Sequence, residues 1–356
     1  LSWLGLILTM ATLIQAVISA TSDLQTAWQL TLGAQLILYI YTTGKVTPQY
    51  IALITEAHKP LQGLESCYAL IESRPFKAEW LQKWSAQLNR KGAPSQRINS
   101  IAKYAEALAV RHSALLYGVL AIGLMWELWY GVKVAQWRVE FGEMVSDDLE
   151  ALYEFEALCS IADYASDHPD YLWPELTHHD EEKPLLQATA IAHPLFPPQG
   201  RVANDFILHN DDELYLITGS NMSGKSSFMR AIASNLTLAL AGAPVCAEQL
   251  SCPPLSLATS IQVTDDPSKG WSRFYAEVRR ISQVIQRAES ASAQRPTLYL
   301  IDEMLSGTNS RERRVASRSI TTRLIKAKYA AGIITTHDLD LAQLTDRFPT
   351  QLKLAH

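Results

Sequence analysis

Leu214-Tyr-Leu-Ile-Thr-Gly219-Ser-Asn-Met-Ser-Gly224-Lys225-Ser226-Ser227 reads as a short apolar strand, a glycine-bounded loop and the opening of a helix that continues to Leu240. Gly219 to Ser226 fit the pattern GxxxxGK[ST], and a strand before it with a helix after it is the context that pattern requires. Glycines at both ends let backbone N–H groups turn inward around phosphate oxygens, and the helix N-terminus adds a favourable dipole. Lys225 is placed to reach the β- and γ-phosphates of a nucleotide, and the Ser226 hydroxyl to ligate Mg²⁺. An ordinary glycine-containing loop is the plain alternative, and the flanking strand and helix count against it.

Two further strand-like runs end in chemistry. Leu298-Tyr-Leu-Ile-Asp302-Glu303 lies 77 residues beyond Lys225 and closes on two carboxylates. Asp302 is expected to hold Mg²⁺ through water, and Glu303 to polarise an attacking water. Alone, such a run is usually a strand leaving the core; beside a complete phosphate loop it gains meaning. Gly332-Ile-Ile-Thr-Thr-His337 ends in a histidine suited to sensing a γ-phosphate or holding a water. A fourth segment, Asp265 to Phe274, precedes an amphipathic helix carrying Phe274, Val278, Ile281, Ile285 and Ala288 on one face. Its Gly270 and Ser272 could serve an anion or simply cap the helix, and spacing does not decide between these.

Outward from these motifs, the 356 residues carry 31 basic and 36 acidic side chains, a net charge of −5. That excludes a uniformly basic nucleic-acid coat. Four scattered cysteines without a CxxC pair exclude a disulfide scaffold or a zinc module and fit a reducing compartment. Nothing before Asp23 is charged, and nothing between Leu24 and Gly44. Each run approaches the ~20 residues that cross a bilayer, so residues 1–44 are expected to form a transmembrane helical hairpin. Residues 45–111 carry ten Lys/Arg against five Asp/Glu, which suits the cytoplasmic side of a membrane; the excess could serve as a nucleic-acid face, and a solvated or membrane-proximal helical surface is the plainer reading. A third apolar stretch, 114–126, is read as a core helix or a membrane-surface segment. Residues 141–183 hold thirteen acidic groups and one basic, with Leu149, Leu152, Phe155, Leu158 and Ile161 at helical spacing as one buried stripe. A Pro-rich, charged segment up to Pro184 marks a boundary, after which short strands alternate with helices.

Six blocks together resemble the ATPase domain of the MutS family of DNA mismatch-repair proteins: residues 192–206, 218–230, 241–250, 265–278, 299–313 and 335–344. The resemblance implies an α/β P-loop NTPase, ABC-like with a mostly parallel sheet, over 186–356. An all-α core and connector over 45–185 and the hydrophobic hairpin would precede it. It implies that Gly219, Ser220, Asn221, Met222, Ser223, Gly224, Lys225, Ser226 and Ser227 bind ATP. Ser226 and Asp302 would hold Mg²⁺, and Lys225, Glu303 and His337 would serve catalysis. Ser272 would reach the partner's γ-phosphate across a homodimer interface, with Thr308 and Asn309 in the loop that crosses it. Arg273 departs from the small hydroxyl residue of typical members.

No mismatch-reading domain of the kind that carries the family's Phe-x-Glu motif is read within this sequence, and the apolar hairpin is similar to a MutS-related subfamily with N-terminal transmembrane segments. The expected function is therefore a dimerising MutS-like ATPase that couples ATP turnover to DNA binding, held at the membrane through residues 1–44 with its ATPase domain in the cytoplasm. The alternative is a membrane-anchored ATP-driven switch acting on a protein or membrane partner without mismatch recognition.

Overall fold

The computed structural model describes residues 2–21, 28–46, 54, 56–90, 92–109, 126–180, 182–209, 213–220, 223–261, 272–305 and 308–355. The chain divides into two compact units, Leu1–Ala157 and Leu158–His356.

The first unit is built of helices: α1 (Ser2–Thr21), α2 (Trp28–Val46), α3 (His58–Ser73), α4 (Glu79–Leu88), α5 (Pro94–Ala109) and most of α6 (Trp126–Asp167). Helices α1 and α2 pair through a polar seam. The Gln35 amide donates to Thr9 Oγ1 at 2.8 Å, and Thr31 Oγ1 donates to Gln15 Oε1 at 3.2 Å. Gln35 is 1% exposed, whereas Ile14 and Ile37 on the outer faces stand open. This corrects the membrane expectation. Among the described residues no helix is long and apolar enough to cross a membrane. The Thr and Gln residues that interrupt the two uncharged runs hydrogen-bond helix to helix instead. With the hairpin go the membrane anchoring through residues 1–44, the localisation built on it and the membrane-tethered alternative. The third apolar stretch lies outside the described residues up to position 125.

The chain turns between α4 and α5 at Gly92–Pro94, where Pro94 opens the next helix. Tyr68, Ile71, Ile98 and Leu152 form a buried cluster with Trp84 and Phe155 packed on it, those two rings stacked at 5.3 Å. Leu158 of the expected stripe is instead exposed. Within the first unit, Arg97 Nη2 on α5 donates to both Asp148 oxygens on α6 at 2.8 and 2.7 Å, with both side chains under a tenth exposed. A buried pair of this kind costs desolvation, and its charge-assisted hydrogen bonds offset that only with both partners present.

The second unit holds two sheets, one parallel and one mixed, which corrects the expected class of an ABC-like P-loop fold with a mostly parallel sheet behind a hydrophobic hairpin. One sheet is wholly parallel: β6 (Ser256–Ser260), β7 (Thr297–Asp302), β8 (Ala330–Thr336), β4 (Leu214–Thr218) and β9 (Leu352–Ala355), in that spatial order. The other is mixed, with β1 (Glu175–Leu176) parallel to β5 (Gln249–Cys252), and β5, β2 (Leu186–Ile191) and β3 (Asn204–Leu208) antiparallel in turn. The residues of β7 and β8 explain their central places. Both are almost continuously buried, as strands covered on two faces must be.

Successive β7 side chains alternate between two cores. Leu298 and Leu300 join Met229, Ile232 and Leu236 of α7 (Lys225–Leu240) and the inner face of the mixed sheet. Tyr299 and Ile301 join Ile281, Val284 and Ala288 of α8 (Arg273–Glu289) and Leu324 and Ile325 of α9 (Ser310–Ile325). The helix α7 is thus sandwiched between the sheets, and α8 and α9 cover the opposite face of the parallel one.

Tyr299 sits opposite Gly332 in the ladder. A Cβ on Gly332 would lie 2.2 Å from the Tyr299 carbonyl oxygen and 2.3 Å from its ring. Gly332→Ala is therefore expected to destabilise the fold by about 3 kcal/mol, the upper end for overpacking a core. Chemical denaturation of the full chain measures this, and a midpoint within error of the parent would show that the β7–β8 ladder is looser than described.

Candidate functional site

The parallel sheet brings the carboxyl ends of β4, β8 and β7 side by side. Thr218 pairs with Thr336, and Asp302 with Thr335, so all three strands stop at one edge. In open sheets flanked by helices, ligand sites gather at that edge.

From β4 the chain enters the glycine loop. Gly219 has φ 153° and Gly224 φ 97°, values that L-residues with a Cβ rarely adopt. Gly224 is the N-cap of α7 and no side chain among the described residues caps it, so the first-turn amides are turned toward the loop without a described side-chain acceptor. Lys225 is 9% exposed. Its ammonium donates to the carbonyls of Gly219 at 2.9 Å and Ser220 at 2.7 Å, and contacts Ser223 Oγ at 3.4 Å. The amine is thus held inside its own loop, beside the uncapped amides. Ser226 and Ser227 occupy the first turn of α7. Asn221 and Met222 lie outside the described residues.

From β7 come the carboxylates. The Thr335 hydroxyl donates to Asp302 Oδ1 at 2.6 Å. Glu303 leaves the strand at φ 47°, and its N–H reaches the Thr335 carbonyl and hydroxyl, each at 3.2 Å. Two residues later Leu305 has φ 57°. Two non-glycine residues in the left-handed region cost about 1–3 kcal/mol each, a strain that persists only where neighbours impose it. The turn aims the Glu303 carboxylate at His337, with Nε2 and Oε1 2.8 Å apart. An ionised carboxylate only accepts, so the imidazole donates from Nε2. Both side chains are about two-fifths exposed, leaving room for a reactant. A cavity of about 410 Å³ adjoins them, lined by Arg313, Ser310 and Ser317 of α9.

The residues expected to contact a partner sit at helix starts. Ser272 caps α8, its hydroxyl accepting from Tyr275 N–H at 3.3 Å. Asn309 caps α9 by accepting from Glu312 N–H at 3.0 Å, and Thr308 donates to Glu312 Oε2 at 3.1 Å. Of the Asp265–Phe274 segment, residues 265–271 lie outside the described residues.

The structure therefore joins Glu303 to His337 and Asp302 to the strand between β7 and β4, while Lys225 engages its own loop and not the carboxylates. Sequence reading missed Thr335. Its place directly opposite Asp302 follows only once β7 and β8 are known to pair. An uncapped helix start, a buried amine and a strand-end carboxylate are a donor set that fits a Mg²⁺-bound polyphosphate. Among aromatic candidates for a base contact, Phe206 is packed between Tyr215 and Phe228, whereas Phe196 stacks on His193 at 4.4 Å and stays open. Burial, and then the nearby Arg230 charge, hold the His193 imidazole below its usual pKa.

Residues 215–355 match the family described as MutS domain V. The chain is 30% identical over 240 residues to a DNA mismatch repair protein MutS 2 of Halobacterium salinarum, covering 65% of this chain and 26% of that protein. It is 32% identical over 207 residues to a DNA mismatch repair protein MutS of Haloquadratum walsbyi, 58% of this chain and 21% of that one. A DNA mismatch repair protein MutS of an Exiguobacterium species is 31% identical over 205 residues, 56% and 23% of the two chains. The chain thus spans about a quarter of the length of these relatives. The strand-end geometry and these matches point the same way: over residues 215–355 the chain is similar to domain V of the MutS family.

Proposed function

We propose that the second unit binds ATP with Mg²⁺ and hydrolyses it, and that the chain pairs with a second copy to couple this turnover to DNA, as a mismatch-repair ATPase. The observation that carries the proposal is the edge itself: an uncapped helix start with a buried lysine, beside an acidic pair already oriented by a histidine and a threonine.

In this reading the backbone from Gly219 to Ser227 cradles the phosphates, including Asn221, Met222 and Ser223. Lys225 exchanges its carbonyl partners at 219 and 220 for phosphate oxygens, a short swing because the amine already lies inside the loop. Ser226 and Asp302 hold the magnesium ion, Asp302 kept in place by the Thr335 hydroxyl. When bound, the metal neutralises phosphate charge and orients the chain of phosphates for in-line attack. Glu303 accepts a proton from the attacking water, and His337 fixes the carboxylate through its Nε2–H. Ser272, Thr308 and Asn309, at the exposed starts of α8 and α9, complete the partner's site. The names of the relatives, DNA mismatch repair proteins, and the excess of basic residues over 45–111 support DNA as the partner.

Lys225→Ala is expected to weaken ATP binding by roughly 100-fold, the loss of a charge-assisted hydrogen bond worth about 3 kcal/mol. Equilibrium binding of a fluorescent ATP analogue reads it, and affinity equal to the parent's would remove Lys225 from the site. Glu303→Gln is expected to bind ATP normally while turnover falls by about 10²–10⁴-fold. The same variant, trapped with ATP, should retain duplex DNA with an affinity that falls steeply as salt rises, since phosphate contacts release counterions. Near-parental hydrolysis would end the assignment of Glu303, and salt-independent or absent DNA retention would end the coupling to DNA.

A further inference from the structure

Glu277 is a buried carboxylate for which the mechanism above has no use. It lies on α8, five residues after Ser272, and is 6% exposed. Its Oε1 accepts from the backbone N–H of Leu305 at 2.5 Å. Its Oε2 is equally buried and makes no hydrogen bond among the described residues. A carboxylate is costly to bury, and here it is committed to a single backbone amide.

That amide belongs to the strained turn. Glu303 at φ 47° and Leu305 at φ 57° bracket Met304, and Met304 and Leu305 both bury their side chains against the core that α8 and α9 share. The turn is held on its near side by β8, through Thr335 to the Glu303 N–H, and on its far side by Glu277 to the Leu305 N–H. Without the far anchor, the chain after Asp302 would be free to relax toward ordinary backbone angles, and the direction of the Glu303 side chain would change with it. The aim of Glu303 at His337 is therefore a property of two anchors, Thr335 of β8 and Glu277 of α8.

We propose that Glu277 is a positioning residue for the reaction: by accepting from Leu305 N–H it fixes the left-handed turn that points Glu303 at the reacting water. Because the helix bearing Glu277 begins at Ser272, whatever displaces the start of α8 is transmitted along about one and a half helical turns and one hydrogen bond to the catalytic carboxylate of the same chain. A contact made by Ser272 at a partner's nucleotide thereby acts on this chain's own Glu303. This inference rests on the hydrolytic role proposed for Glu303.

The test compares Glu277→Leu with Glu277→Gln in the full chain. The two fill similar space, and only Gln keeps an oxygen that accepts from Leu305. Amide hydrogen exchange over 303–305 should speed up roughly tenfold in Glu277→Leu and stay near the parent in Glu277→Gln, the scale of one backbone hydrogen bond. ATP turnover should fall roughly 10- to 100-fold in the Leu variant with ATP affinity held within about twofold, and the Gln variant should recover most of it. Unchanged exchange in Glu277→Leu would overturn the proposal, as would faster exchange with unchanged turnover, or equal losses of turnover in both variants. If the parent hydrolyses no ATP, the function proposed above fails, and the exchange comparison still decides whether Glu277 sets this turn.

Discussion

The register of three parallel strands governs this molecule. Because β4, β8 and β7 run the same way and end within one residue of each other, whatever follows each strand is delivered to a common edge. A glycine loop follows β4, two carboxylates close β7, and a histidine follows β8. Residues separated by more than a hundred positions in the chain meet there without any long loop having to bring them. The geometry depends in turn on β8 being thin at its middle. Gly332 lies against the Tyr299 backbone and ring, and no larger residue fits between.

Packing and chemistry share elements throughout the second unit. The alternation of Leu298 and Leu300 with Tyr299 and Ile301 fastens β7 to both cores at once, which makes the strand end a rigid mount for Asp302. The backbone then departs abruptly from strand geometry at Glu303. Local energetics oppose that turn, and hydrogen bonds from β8 and α8 impose it. Strain held by two independent neighbours is a way to fix one side chain while leaving it two-fifths exposed to a reactant.

Much of this was legible in the sequence, and the limits follow from range. Uninterrupted runs such as LYLI and GIITT announce strands buried on both faces, and the glycine loop between strand and helix announces its own backbone. The Asp302–Thr335 and Glu277–Leu305 bonds were not legible, because each depends on which strand or helix lies beside β7. The mixed sheet escaped notice for a related reason. Its strands are short, β1 spans two residues, and its pairing joins segments far apart in the chain. The membrane hairpin was misread because an absence of charge is not an absence of polarity. Thr9, Gln15, Thr31 and Gln35 weigh little when a run is averaged, yet they find one another across two helices.

The account stands on the edge of the parallel sheet being a site for a magnesium-bound nucleotide. Calorimetric titration of the intact chain with ATP, with and without Mg²⁺, addresses this most directly. The account predicts saturable binding at one site per chain, tightened when Mg²⁺ is present. Titrations that never saturate, or that saturate identically in both conditions, would contradict it.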